Sequence, residues 1–233
     1  MAKKSILILL ILSVLMSLSL ISCSTNEVAL RVSPRGDEIS ADEAMVLLRE
    51  GNNRFVEGKS EIHDLSKERR EFLAKDGQFP YATILSCSDS RVPPEVIFNE
   101  GLGNIFVARN AGNVVDKVSL GSIEYSAKFL KVPLIVVLGH THCGAVKATI
   151  NNTQAGPNIE EIENLIKPAL EIAKKEVSDE HALYEATEIQ NVKNSISNIK
   201  KSEIIGQLLK DNKVKIVGGM YSLETGKVEL IEY

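Results

Sequence analysis

Two short stretches of this chain carry the side chains a soft divalent ion would choose. In ILSCSDSRVPPE, Ile84 to Glu95, an apolar run ends in Cys87, with Asp89 and Arg91 close behind. In GHTHCGAV, Gly139 to Val146, a second apolar run ends at His140, and Cys143 follows three residues later. Two thiolates and an imidazole form a zinc set, and three protein ligands with one open position are the catalytic arrangement. Softness alone would also admit copper(I) or iron, but a redox-inert Lewis acid is the simpler reading. Two thiolates cancel the formal charge of the ion, so its water is acidified less than at a three-histidine site. A neighbouring carboxylate would then matter more. Asp89 would accept a hydrogen bond from the nucleophile and orient it, while Arg91 would keep Asp89 ionised and fix it through two-point contact.

Other readings of the same residues are weaker. Two cysteines in an oxidising compartment ordinarily form a disulfide, yet a Cys87–Cys143 bridge gives no reason for His140, Asp89 and Arg91. An inert zinc site would want a fourth protein ligand, which a permanently bound Asp89 would supply. His142 lies between two ligands and is expected to point away from the ion; His63 and His181 stand among polar residues and read as surface groups. Gly101-x-Gly103 lacks the rest of a dinucleotide fingerprint and reads as turn chemistry.

The elements that must position these side chains follow from the apolar patterning. Tyr81–Ser86, NIFVARN at 104–110 and PLIVVLG at 133–139 are strand-like, and the last is almost wholly apolar. Such unalternating strands between helical stretches argue for a parallel sheet covered on both faces. In open sheets of this kind ligands gather beyond the carboxyl ends of the strands, so Cys87 and the His140/Cys143 pair meet if their strands are neighbours. Ser40 with Glu43 makes a capping box for a helix carrying Met45, Leu48 and Phe55, and a second helix is expected from Ser66 to Gly77. Pro94 opens a short helix and Leu120–Leu130 forms another. Residues 159–212 are mostly helical, with breaks expected near Pro168 and Ser178, and the acid- and lysine-rich run Lys174–Lys201 reads as a solvated face. The last twenty residues read as two strands around Glu224-Thr225-Gly226, a hairpin at the sheet edge. The expected fold is therefore α/β: a mainly parallel sheet of about four strands, helices on both faces, an N-terminal helical arm and a C-terminal edge hairpin.

At 233 residues, 44% hydrophobic and 25% charged, the chain is long enough for one sizeable domain. Its start is different. Lys3 and Lys4 precede an apolar segment from Ile6 to Ile21 that closes in LISC, Leu20 to Cys23. The charge pattern is that of a signal peptide, and the segment is short for a spanning helix. The ending resembles a bacterial lipoprotein signal, which implies cleavage before Cys23, lipid on its thiol, and export to a periplasmic or outer-membrane face. The division expected is a signal peptide over 1–22, a tether over 23–39 and one catalytic domain over 40–233. The net charge of −4 becomes more negative once Lys3 and Lys4 leave. That argues against nucleic acid as a partner and leaves the lipid as the only membrane contact.

The residues also carry a family resemblance. C-x-D-x-R followed some fifty residues later by H-x-x-C resembles the signature of the β-class carbonic anhydrases, and the likeness extends over NNRF at 52–55, RNAGN at 109–113, SIEY at 122–125 and the closing YSLETGKV. It implies one zinc per subunit on Cys87, His140 and Cys143, an Asp89–Arg91 pair, and reversible hydration of carbon dioxide to bicarbonate and a proton by a hydroxide formed at the zinc. Gln78, Phe106 and Tyr125 resemble substrate-pocket residues, with Gln78 and Tyr125 reaching from the neighbouring subunit; Ala111 is left unassigned. The resemblance further implies a homodimer or homotetramer embraced by the Met45–Phe55 segment, and a closed state in which Asp89 leaves Arg91 to become a fourth zinc ligand at low pH. The tryptophan of the family's inhibitory bicarbonate pocket has no counterpart, since the chain contains none. Two rival functions share these residues: hydrolysis of carbonyl sulfide or carbon disulfide, and a non-catalytic, zinc-stabilised exported scaffold, against which the Asp89–Arg91 pair speaks.

Overall fold

A computed structural model describes residues 35–61, 63–153 and 155–231. The signal-like segment and Cys23 lie outside the described residues. Five strands form one sheet in the order β2-β1-β3-β4-β5: β1 (Ala82–Cys87), β2 (Ile105–Asn110), β3 (Leu134–His140), β4 (Lys215–Tyr221) and β5 (Val228–Ile231). The first four run parallel, and only β5 is antiparallel, closing the expected hairpin. Every residue of β1 and β3 is buried, as central strands covered on both faces must be.

One apolar layer gathers Leu48, Ile84, Ile97, Leu134, Leu138 and Tyr221 on one face of the sheet. The other gathers Leu85, Ile123, Ile135, Val192, Ile196 and Ile199. The helices that cover these faces are α1 (Ala41–Val56), α2 (Lys67–Asp76), α3 (Pro94–Ile97), α4 (Lys117–Phe129), α5 (Gly144–Asn151), α6 (Pro157–Glu176), α7 (Glu180–Lys200) and α8 (Glu203–Lys210). Among the described residues no helix is long and apolar enough to cross a membrane.

The N-terminal helix is capped as anticipated, with the Ser40 hydroxyl accepting from Glu43 N–H and the Glu43 carboxylate accepting in return. Ala44 and Leu48 anchor it to this chain's own core, while Val46 and Val56 on the same helix are exposed. Asn52 then ties the helix to the C-terminal hairpin: its amide donates to the Ile97 and Gly226 carbonyls, and its oxygen accepts from Val228 N–H. Residues 36–38, within the expected tether, form a 3-10 turn whose Gly36 is buried and donates to the Phe79 carbonyl. The break at Pro168 does not occur, and α6 runs through it. Proline forfeits one backbone hydrogen bond, but Ile166, Ala169, Leu170 and Ala173 are buried around it and hold the helix against its neighbours.

Candidate metal centre

Cys87 is the last residue of β1 and His140 the last of β3. The two strands are parallel neighbours with Ser86 opposite Leu138, so both residues lie at the same, carboxyl end of the sheet. Close approach of α7 to β3 depends on Gly139, where a Cβ would stand 2.5 Å from Val192 Cγ2 and 2.7 Å from Met220 Sδ. After His140 the chain turns through His142, at φ 58°, and Cys143 caps the start of α5. One ligand atom each from Cys87, His140 and Cys143 lies within 4.8 Å of the other two, and all three residues are buried. No disulfide joins these two cysteines.

The imidazole is oriented for coordination. His140 Nδ1 lies 2.9 Å from the Thr141 carbonyl, which can only accept, so Nδ1 carries the proton. Nε2 is left with its lone pair, buried and without a hydrogen-bond partner. A buried nitrogen of this kind is costly unless something fills its valence. With two thiols beside it, a zinc-type ion fits that donor set. The carbonyl contact is the outer-shell bond that fixes a metal-binding histidine.

Electrostatics separate the two thiols. Cys143 donates to the Cys87 sulfur and draws it far below the ordinary thiol range; burial opposes this, while His140 and the amides of Gly112 and Asp89 reinforce it. Those amides lie 3.3 and 3.4 Å from Cys87 Sγ. Cys143, which keeps that hydrogen bond only while protonated and is also buried, moves the other way. Burial lowers His140, but its contacts with Cys87 and the Thr141 carbonyl outweigh that, and the net is upward.

Asp89 and Arg91 are paired as a fork. Arg91 Nε donates to Oδ1 at 2.9 Å and Nη2 to Oδ2 at 2.8 Å, while the Arg91 backbone N–H also reaches Oδ1. The Arg91 hydrogen bond holds Asp89 down at about 2, against the opposing effect of burial. In this arrangement Asp89 is not one of the clustered ligand groups.

Several groups around the centre carry no recognisable spacing in the sequence. Arg109, on β2, donates to the carbonyls of Cys87 (3.0 Å) and Asp89 (2.7 Å) and so clamps the loop between them. It sits in RNAGN, where an arginine close to a glycine turn is the one local signal that could have found it. Glu224, at the hairpin turn, accepts from Thr141 Oγ1 and stands 2.6 Å from His142 Nε2. His142 thus points away from the cluster toward the surface. Glu188, on α7, accepts from Cys143 N–H at 2.8 Å; burial pushes its carboxyl up, and the Cys143 N–H pulls the other way. His63 is held by Asn99 Nδ2 at 2.8 Å rather than standing free at the surface. Ala111 opens the turn that leads to Gly112.

Gln78, Phe106 and Tyr125 are placed elsewhere. Phe106 lies opposite Thr83, four residues before Cys87 on the neighbouring strand and therefore roughly 13 Å down the sheet at about 3.3 Å per residue. Its ring packs at 6.3 Å from Tyr125. Gln78 and Tyr125 line a surface depression of about 510 Å³ with Phe79 and Phe129. Within one chain the three lie at the opposite end of the sheet from the sulfurs.

Comparison with known proteins agrees with this geometry. Residues 82–228 match the family model described as carbonic anhydrase. A carbonic anhydrase of Mycolicibacterium smegmatis is 40% identical over 202 residues, covering 84% of this chain and 95% of that protein. Carbonic anhydrase 2 of Mycobacterium tuberculosis is 37% identical over 191 residues, covering 80% and 90%. Among solved structures, a β-carbonic anhydrase of Aspergillus fumigatus superposes with a TM-score of 0.64 at 27% identity, over 72% of this chain and 83% of that one.

Proposed function

The chain belongs to the β-class carbonic anhydrases, and from that premise we propose that it hydrates carbon dioxide reversibly with a zinc ion held by Cys87, His140 and Cys143. When bound, zinc supplies Lewis acidity that makes a water nucleophilic near neutral pH. The chain's own residues supply direction. Asp89, ionised through Arg91, accepts a hydrogen bond from the attacking oxygen and turns its remaining lone pair toward the carbon of the substrate. Arg91 holds the carboxylate at two points, and Arg109 holds the backbone on either side of Ser88. The single observation that carries the reading is the convergence of two sulfurs and an unpartnered imidazole nitrogen.

Full pocket walls require a second copy. Tyr125, Phe129 and Val118 on α4 are exposed, and among the described residues β2 has no strand on its outer side. We assign this face to a dimer in which Gln78, Phe106 and Tyr125 of one copy border the centre of the other. Export and a lipid at Cys23 belong to the same proposal and rest on the sequence alone.

Stopped-flow hydration by the zinc-loaded protein beside Asp89→Ala tests the mechanism. Roughly a hundredfold or greater loss with zinc retained is expected for a group that aims the nucleophile. Equal rates in the two proteins would remove Asp89 from the chemistry.

A further inference from the structure

Helix α7 (Glu180–Lys200) faces the sheet with Val192, Ile196 and Ile199, all fully or almost fully buried. Beside that apolar stripe runs a polar one. Glu188, Asn191 and Ser195 are spaced i, i+3 and i+7, so they share a face of the helix, and each is no more than 5% exposed. Buried polar side chains are costly unless each finds a partner, and these three find theirs around the metal centre. Glu188 accepts from Cys143 N–H at 2.8 Å. Asn191 Nδ2 donates to the Gly112 carbonyl at 2.7 Å, and Ser195 Oγ donates to the Asn113 carbonyl at 3.0 Å.

Gly112 is therefore held at both ends. Its carbonyl is tied to Asn191, and its N–H points at Cys87 Sγ, 3.3 Å away. The turn it occupies would not hold itself in place: Gly112 and Asn113 both have positive φ, 72° and 44°. For Asn113 that is a sparsely populated conformation which the surroundings must impose. No side chain replaces Gly112 cheaply, since its φ of 72° strains any L residue; a Cβ there would also press on Ile166 Cδ1 at 2.8 Å and Ala145 Cβ at 3.1 Å.

We propose that Glu188, Asn191 and Ser195 are positioning residues that set the spacing of the two sulfurs from behind, Glu188 through the backbone of Cys143 and Asn191 with Ser195 through the amide of Gly112. One rigid helix indexes both thiolates, which come from segments far apart in the sequence. The centre is thereby held at ligand spacing before an ion arrives. The inference rests on the metal reading above and adds to it a device outside the ligand motif.

The test uses the full chain loaded with cobalt(II), whose thiolate charge-transfer and ligand-field bands report ligand geometry, together with zinc release to a chelator. Asn191→Leu and Glu188→Leu are each expected to shift the cobalt bands and to weaken zinc binding by about 10–100-fold, the usual effect of losing an outer-shell partner. Glu188→Gln, whose amide oxygen still accepts from Cys143 N–H, is expected to restore the wild-type spectrum. Ile199→Ala removes buried apolar volume on the same helix; it should lower the melting temperature and leave the bands in place. Should the leucine variants fail to fold, Ser195→Ala makes a smaller cut and should speed zinc loss several-fold. Wild-type bands and zinc affinity in the leucine variants or, where those do not fold, in Ser195→Ala, would overturn the inference alone. So would an equal spectral shift in Ile199→Ala. A wild-type protein that takes up neither zinc nor cobalt would remove the metal reading and this inference with it.

Discussion

The cluster of Cys87, His140 and Cys143 and the group of Gln78, Phe106 and Tyr125 lie at opposite ends of the same sheet, and the two are built differently. The first is complete within one chain. Its side chains are buried, its imidazole is oriented by its own backbone, and Cys87 Sγ is fixed by amides. The second is open: Tyr125 and Gln78 are both exposed at the outer side of the sheet, beside an exposed Phe129. Ligands must hold a fixed geometry whether or not substrate is present, so a single fold supplies them. On the reading proposed above, walls need only close around the substrate, and a second copy would bring them.

The comparison breaks most sharply at the sulfurs. Cys87→Ser replaces a soft ligand by a hard one and should return carbon dioxide hydration to the uncatalysed background with zinc lost on dialysis; metal analysis and stopped-flow rates check this together. Full activity in that variant would mean the ion, if any, sits elsewhere.

A smaller effect is expected at the open end. Phe129, packed 5.5 Å from Tyr125 and 66% exposed, contributes little to the fold of one chain. Phe129→Asp should therefore keep its zinc, sediment as a single chain and lose hydration roughly tenfold as the borrowed walls depart, since desolvating a charge at such a face is costly. Unchanged mass and rate would place the interface elsewhere.

The smallest effect sharpens the Asp89–Arg91 pair. A carboxyl held at about 2 in the folded chain, against an ordinary 3.8, contributes stability fully present above the ordinary value and lost as pH falls through the folded one. The difference in melting temperature between wild type and Asp89→Asn should be about a few degrees near pH 6 and shrink steadily from about pH 4 to pH 2. A difference that stays constant over that range would show that the pair does not hold the carboxyl down.

What could be read from the sequence follows the same division. The ends of β1 and β3 were legible because apolar runs without alternation stop at Cys87 and at His140, and a parallel sheet puts such ends together. Pro168 misled because proline reports only the lost hydrogen bond and not the packing of Ile166 and Leu170 that compensates for it. The run Lys174–Lys201 misled for a related reason: Glu188, Asn191 and Ser195 have the composition of a solvated face, and only their burial against backbone groups distinguishes them. A polar residue that serves a remote peptide leaves no local spacing to recognise. The helical arm, likewise, was legible in its capping box, whereas the packing of Leu48 on its own sheet was not, since that side chain would suit a partner's surface as well.

X-ray absorption at the zinc edge of the loaded full-length chain tests the central claim most directly. The account predicts two sulfurs and one imidazole nitrogen around each ion. A coordination shell containing one sulfur or none would contradict it.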